Sequence, residues 1–475
     1  MKIREKISQL SDQLKKKWKP QKMLQLCRQW LANRSATQVI CVSFVLVILL
    51  GGLLLTLPIA SRSGRLGLVD ALFTATSATC VTGLIVRDTW TQFSFFGQLV
   101  LLVLIQVGGL GLVTLTSFFA MATRRRMGFR DLRLMGESVS ADGGYAQAKD
   151  VLRTVIGLAA LFEGLGILLL CFAMVPQFGA EGIWISIFTA ISAFCNAGFD
   201  LFGRFGQYSS VVPYVHNYYV QWVIMFMIIA GGLGFMVWVE IGQYRRKRRL
   251  SLHARVVLQF SLLLWVGGAV LIGLMEWNNP ATMGTLSVPD KLMAALFQSV
   301  STRTAGMNTI DLAACGPITK LLMSVLQFIG AAPGSTGGGV KVTTFAVLFL
   351  TIRSVAQGRD DCVIAEHKIE AKTVYRALTI ITLGALAVIG STVVVYYNSA
   401  ETISVIDAVF ESCSAFGTVG LSVGVTGKLN DPAKLLYMLV MFMGRVGPVS
   451  LAMSLTAKPD DNKRRILPVG HINVG

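Results

Sequence analysis

The sequence predicts an all-α polytopic membrane protein made of four pseudo-repeats, each a span, a pore-type half-helix and a second span. Three observations predict it. Hydrophobic residues make up 53% of the 475 and charged residues only 14%, against roughly a quarter charged in ordinary globular chains. Several apolar runs reach about 20 residues, the length that crosses a hydrocarbon core of about 30 Å. Between paired runs lie four shorter segments that close alike on a glycine. A soluble enzyme, a disordered chain and a nucleic-acid binder are excluded together.

The distribution of charge agrees. The formal net charge is +18, but the basic residues gather in short segments between apolar runs, as membrane orientation requires. Residues 1–34 carry ten Lys/Arg and no long apolar stretch, which makes them a cytosolic basic arm and not a cleaved signal peptide. The eight cysteines (Cys27, Cys41, Cys80, Cys171, Cys195, Cys315, Cys362, Cys413) are scattered, with no C-x-x-C and no histidine at metal spacing. Neither a disulfide framework nor a zinc site is expected.

Eight spans are expected, at 38–60, 97–122, 152–175, 219–243, 256–275, 319–352, 374–397 and 434–456. The repeats then cover 37–126, 127–250, 251–356 and 357–457, between an arm at 1–36 and a tail at 458–475. The segments Asp70–Thr79, Gly182–Phe194, Asp290–Thr302 and Asp407–Phe416 are too short to cross and suit re-entrant pieces. Asp70, Asp290 and Asp407 open theirs, where a carboxylate caps exposed N–H groups. Each segment closes on a glycine (Gly83, Gly198, Gly306, Gly420) with a large apolar residue ten positions earlier: Phe73, Phe188, Leu296 and Phe410. Ser77, Ser192 and Ser414 stand six residues before the glycine, with Val300 in that place in the third repeat. A second echo, Gly108-Gly-Leu-Gly111 and Gly231-Gly-Leu-Gly234, falls in the second spans of repeats one and two. Glycines spaced by 115, 108 and 114 residues mark internal repetition.

Eight crossings put both termini on one side. That side holds 32 of the 43 Lys/Arg, with Arg124-Arg-Arg126 and Arg245-Arg-Lys-Arg-Arg249 directly at span ends, so it is cytosolic. All four half-spans then enter from outside. Non-helical backbone at membrane depth is tolerated only inside protein or along a watery cavity. Four equivalent turns meeting on one axis can ring a dehydrated monovalent cation with carbonyls. Glycine suits such a turn because it permits positive φ and close backbone approach. The negative ends of the half-helices favour a cation there.

These turns, Thr-Cys80-Val81-Thr82-Gly83, Asn196-Ala197-Gly198, Thr-Arg-Thr304-Ala305-Gly306 and Gly-Thr418-Val419-Gly420, resemble those of the Trk/Ktr/HKT superfamily of potassium transporters, and within it the potassium-translocating subunit of the Ktr systems. The similarity covers roughly 38–456. It implies K⁺ selectivity carried by the four glycines, with backbone carbonyls of the preceding residues as ligands. In plant relatives a serine at the first glycine goes with sodium transport; Gly83 stands there here and favours potassium. The turns depart from the Thr-Val-Gly-Tyr-Gly of tetrameric channels, so a shorter, less stringent filter is expected.

The stretch Gly330-Ala-Ala-Pro333-Gly334-Ser335-Thr336-Gly337-Gly338-Gly339-Val-Lys341 interrupts the sixth span. Gly334-x4-Gly339 is followed by Val340-Lys341 and no strand precedes it, so it is not a P-loop. A flexible polar loop at the midplane lines a cavity. The resemblance matches it to an intramembrane gating loop, and matches Arg445, in Phe442-Met-Gly-Arg-Val-Gly-Pro448, to an arginine that projects into the pore beside that loop. A cation at bilayer depth is costly and placed for function. Lys341 is expected to snorkel to the cytosolic interface, and Glu163 and Glu240 to pair with basic groups.

The cytosolic loops are too short for a regulatory domain and contain no Rossmann fingerprint. The resemblance implies control by a cytosolic RCK-type ring, the KtrA subunit, which binds ATP or ADP, and it implies a homodimer. Segments 123–133 and 244–255 would face that ring or anionic lipid. The function expected is potassium uptake across the plasma membrane, in a bacterial inner membrane, with K⁺ and possibly Na⁺ as transported ions and no organic cofactor. The rival is a Na⁺- or H⁺-coupled K⁺ symporter working by alternating access, which also uses broken helices at the midplane. A membrane enzyme is disfavoured, because the four histidines fall in loops or tails and the spans hold no H-E-x-x-H.

Overall fold

The computed structural model describes residues 36–111, 145–359, 362–364, 367–399 and 403–455. The N-terminal arm up to Ser35, Arg124-Arg-Arg126 and the tail lie outside the described residues. Repeat one consists of α1 (Ala36–Leu55), the half-span α2 (Leu68–Thr79) and α3 (Phe95–Leu110). Repeat two has α4 (Tyr145–Phe178), the half-span α5 (Ala180–Phe194), and a second span split into α6 (Tyr218–Gly232) and α7 (Phe235–Lys247). Repeat three has α8 (Leu252–Glu276), the half-span α9 (Val288–Ser301), and α10 (Pro317–Phe328) and α11 (Val342–Ala356) on either side of the interrupting loop. A two-residue hairpin, Val363–Ile364 with His367–Lys368, leads to repeat four. That repeat contains α12 (Ala371–Asn398), the half-span α13 (Val405–Gly417), α14 (Asp431–Val446) and α15 (Pro448–Leu455).

The first span of every repeat is one continuous helix long and apolar enough to cross a bilayer. The second spans of repeats two and four differ from the single runs expected for them, being cut at a glycine, and α3 of repeat one ends at one. Gly111, Gly234 and Gly447 share one conformation, with φ of 83°, 89° and 94° and ψ of 133°, 139° and 136°. Only glycine adopts that backbone without strain. The break turns the chain by 98° between α6 and α7. In repeat three the loop from Ile329 to Lys341 stands in for it. The echo noticed in repeats one and two therefore has a third member, Gly444-Arg-Val-Gly447.

Side-chain caps start several helices. Ser94, Asn217, Ser251, Ser287 and Ser404 accept from the N–H three residues on, each worth about 1 kcal/mol. The aspartates expected as caps lie one turn further in. Asp290 and Asp407 are the residues whose N–H groups the serines Ser287 and Ser404 accept, and Gly67 precedes α2 without a side-chain cap. The carboxylates of Asp70 and Asp407 bind lysines of neighbouring repeats, while that of Asp290 accepts from the hydroxyls of Ser287 and Tyr218.

The half-spans form the core and the long spans face outward. Phe73, Phe188, Phe297 and Phe410 are fully buried, whereas Leu46, Leu50, Leu53, Phe172, Leu263, Leu274, Leu386 and Ile389 stand exposed on the first spans. Apolar side chains facing out suit a hydrocarbon solvent. Each second span packs on the half-span of the next repeat, α3 on α5, α6 on α9, α10 on α13, and α14 back on α2. The four repeats thus close a ring.

Candidate functional site: the meeting of four glycine turns and one loop

Each half-span ends in the same backbone sequence of conformations. Val81, Asn196, Thr304 and Thr418, two residues before the glycine, have φ of 57°, 58°, 74° and 51°; Gly83, Gly198, Gly306 and Gly420 have φ of 91°, 71°, 75° and 89°. A left-handed residue that is not glycine costs about 1–2 kcal/mol. Strain repeated at four equivalent places, three of them β-branched, is held by its surroundings and marks a site. The turns are tied by serines. The hydroxyls of Ser77 and Ser414 accept from the N–H groups of Gly83 and Gly420 at 3.1 Å, and Ser192 donates to the Phe199 carbonyl at 2.5 Å. In repeat three this work falls to Ser301, which donates to the Met307 carbonyl. Ser301 and the buried Phe297 stand one residue nearer their glycine than their counterparts, so the equivalences to Val300 and Leu296 shift by one.

The glycines meet. A Cβ on Gly83 would lie 2.5 Å from the Ala197 carbonyl oxygen and 2.9 Å from the Gly198 Cα. On Gly198 it would face the Ala305 carbonyl and the Gly306 Cα, on Gly306 the Val419 carbonyl and the Gly420 Cα, and on Gly420 the Thr82 carbonyl and the Gly83 Cα. Thr82, Ala197, Ala305 and Val419 therefore present carbonyl oxygens to one another's glycines in cyclic chain order. Cys80 closes α2 behind them, buried. All thirteen turn residues expected from the sequence come together here.

The loop of repeat three lies directly against these turns. Its ends are pinned to each other, Gly330 N–H to Val340 O at 2.7 Å and Val340 N–H to Phe328 O at 3.3 Å. Its middle is pinned to the other second spans at their breaks: Ala332 and Thr336 N–H groups donate to Gly232 and Gly231 carbonyls, Gly339 N–H donates to Gly444 O, and Gly334 O accepts from Phe235 N–H. Pro333 O abuts Gly234, and Ser335 Oγ donates to Ala332 O at 2.6 Å. Cβ atoms on Gly337 and Gly338 would strike the hydroxyls of Thr304 and Thr418. Those two hydroxyls are buried without a hydrogen-bond partner.

Arg445 bridges the loop to α3. Its guanidinium donates to the Thr336 carbonyl, to Gly108 O and, at 3.1 Å, to Gly109 O, bridging the loop to the C-terminal end of α3, where a cation is favoured. Lys341 departs from the expected snorkelling: it starts α11 and its Nζ turns back to donate to the Gly337 carbonyl at 2.5 Å, four residues earlier in the same loop. Among the described residues Glu163 and Glu240 have no basic partner either. Gln106 Nε2 donates to Glu163 at 2.9 Å, and Glu240 accepts from the Ser251 N–H and hydroxyl.

Three further charges escaped the reading of the sequence. Arg303, inside the third turn, is buried and reaches Gly330 O at 2.9 Å with its ring-facing side over Trp265. Lys320 binds Asp407 at 2.8 Å and Lys434 binds Asp70 at 2.7 Å. For the lysines the signal was present: each is a cation at the start of an apolar run, ten residues before Gly330 and Gly444 respectively, whereas Arg303 sits in the polar run Ser301-Thr-Arg-Thr304.

A ring of half-span helices whose glycine turns converge inside an all-α bundle with apolar outer faces defines a polytopic membrane protein of the cation-transporter class. The family model for TrkH, a cation transport protein, matches residues 16–466, and the chain belongs to that family. Its relatives include the Ktr system potassium uptake protein B of Bacillus subtilis (strain 168), 36% identical with 92% of this chain and 96% of that one covered. The protein of the same name from Vibrio alginolyticus is 37% identical, with coverage of 90% and 93%. The potassium/sodium uptake protein NtpJ of Enterococcus hirae is 36% identical, with coverage of 89% and 93%. The crystal structure of the potassium transporter TrkH from Vibrio parahaemolyticus has the same fold, with a TM-score of 0.67 over 89% of this chain and 86% of that one at 18% identity.

Proposed function

We propose that this chain takes up potassium across the plasma membrane through the axis of its four repeats. The carbonyls of Thr82, Ala197, Ala305 and Val419 and those beside them replace the water around a K⁺ ion, and the glycines Gly83, Gly198, Gly306 and Gly420 allow that approach. The segment 330–341 is the gate, held shut by Arg445. Both termini are cytosolic, the protein is a homodimer, and a cytosolic RCK-type ring that binds ATP or ADP moves the gate. The observation that carries the reading is the cyclic contact of each glycine with the carbonyl preceding the next. The names of the Bacillus and Vibrio relatives support K⁺ as the ion, and that of the Enterococcus relative makes Na⁺ the second ion to test.

Reconstitution in proteoliposomes with K⁺ and Na⁺ gradients imposed separately, with and without the cytosolic ring, tests it. Conduction of K⁺ down its own gradient, faster with the ring and activating nucleotide, is expected. A fixed K⁺ to Na⁺ or K⁺ to H⁺ stoichiometry would replace the pore with a coupled carrier.

A further inference from the structure

We infer that the gating segment and the filter form one mechanical unit, so that gate position sets ion selectivity, with Arg303 and Thr336 as the positioning residues that link them. The inference rests on the filter and gate assignments above.

The contacts reach three of the four turns. The Thr336 hydroxyl donates to the carbonyl of Phe194, the last residue of α5, at 3.0 Å, and lies 3.0 Å from the side-chain amide of Asn196 in the second turn. Gly337 and Gly338 sit against Thr304 in the third turn and Thr418 in the fourth. Only Val81, in the first turn, has an apolar side chain at the equivalent position. Asn196, Thr304 and Thr418 are the strained left-handed residues, so their geometry depends on what presses behind them. Withdrawing residues 336–338 removes that backing.

Arg303 makes the link at the loop's hinge. It is buried, and among the described residues it meets no carboxylate: its partners are Gly330 O, Ser261 O at 3.5 Å and the Trp265 face. A cation kept in such surroundings without an acid is expensive, and its one short bond is to the first residue of the gate. It adjoins Thr304 in sequence. Movement of Gly330 therefore pulls on the residue next to a strained filter position.

The test is the K⁺ to Na⁺ permeability ratio and the K⁺ flux of the full-length protein in proteoliposomes. Thr336→Val keeps the shape and the carbonyl that Arg445 holds but loses the hydroxyl; the ratio should fall at least threefold. Thr336→Ser keeps the donor and should restore most of it. Arg303→Gln should raise flux without the ring and lower the ratio together. An unchanged ratio in Thr336→Val, or an equal fall in Thr336→Ser, overturns the inference, as does higher flux at a constant ratio in Arg303→Gln, the behaviour of a simple plug. If Arg303→Gln does not fold, the threonine pair decides alone. A wild-type protein without K⁺ preference, or one indifferent to deletion of 331–339, would instead defeat the filter or gate assignment itself.

Discussion

Lys434 Nζ lies 2.7 Å from Asp70 Oδ1 across 364 residues of sequence, and this bond joins the second span of the last repeat to the half-span of the first. Lys320 and Asp407 make the same join between repeats three and four at 2.8 Å. Between repeats one and two a neutral version serves, with Trp184 Nε1 donating to Gln98 Oε1 at 2.8 Å. Gln98, Gln221, Lys320 and Lys434 occupy one position of the repeat, ten residues before Gly108, Gly231, Gly330 and Gly444. Both partners of the ring-closing pair are largely sequestered, with 13% and 16% of their side chains exposed.

Removing one member of that pair should therefore be worse than removing both. Breaking a buried pair costs about 3–5 kcal/mol, while replacing both members is often near neutral. Asp70→Asn and Lys434→Met should each lower the detergent-solubilised melting temperature, and the double variant should recover most of the loss. Additive losses in a double-mutant cycle would show that the two residues act independently.

Gly83→Ser should lower the K⁺ to Na⁺ ratio. Its φ of 91° and the Ala197 carbonyl 2.5 Å from any Cβ mean the first turn must shift to admit a side chain. The left-handed backbone itself costs about 1–2 kcal/mol for a residue other than glycine, small against the stability of a whole domain, and the shift of the turn is what should disturb selectivity. Flux ratios equal to wild type would remove Gly83 from the filter.

Deleting part of 331–339 should raise K⁺ flux when the regulatory ring is absent, since it takes away the Thr336 carbonyl and the Gly337 and Gly338 backing. Arg445→Gln should act in the same direction and more weakly, because the loop keeps its bonds to Gly231, Gly232 and Gly444. Wild-type flux in both variants would rule out the gate.

Asp200, two residues beyond Gly198 in the loop that follows the second turn, gives a pH dependence. Burial pushes its carboxyl from 3.8 up to about 7, with the Phe202 N–H opposing and the nearby Asp88 adding. A folded-state value above the unfolded one means that stability falls as pH rises from about 4 to about 7, where the unfolded chain has already released the proton. Ionisation near 7 also adds a negative charge beside the turns, so apparent K⁺ affinity should strengthen between pH 6 and 8. Asp200→Asn should flatten both profiles. A wild-type pH profile in that variant would assign the titration elsewhere.

How much was legible in the sequence follows from the range over which each feature acts. Apolar length located the helices, and the closing glycines located all four turns, because both are local requirements: a run must match the hydrocarbon, and positive φ admits glycine most readily. The long polar interruption at 330–341 was visible for the same reason. The one-residue shift that makes Ser301 and Phe297 the true counterparts of Ser192 and Phe188 was not, since a single missing residue inside a turn leaves no trace in composition or period.

By itself, then, the amino-acid order determined a membrane bundle of four like units and the residues that form its turns. Only the tertiary structure decided that those turns touch in cyclic order, that Lys434 reaches Asp70, that Arg303 holds Gly330 and that Lys341 curls back to Gly337. These contacts join residues whose spacing along the chain carries no information about their distance in space. They exist because each second span leans on its neighbour's half-span and the fourth repeat returns to the first.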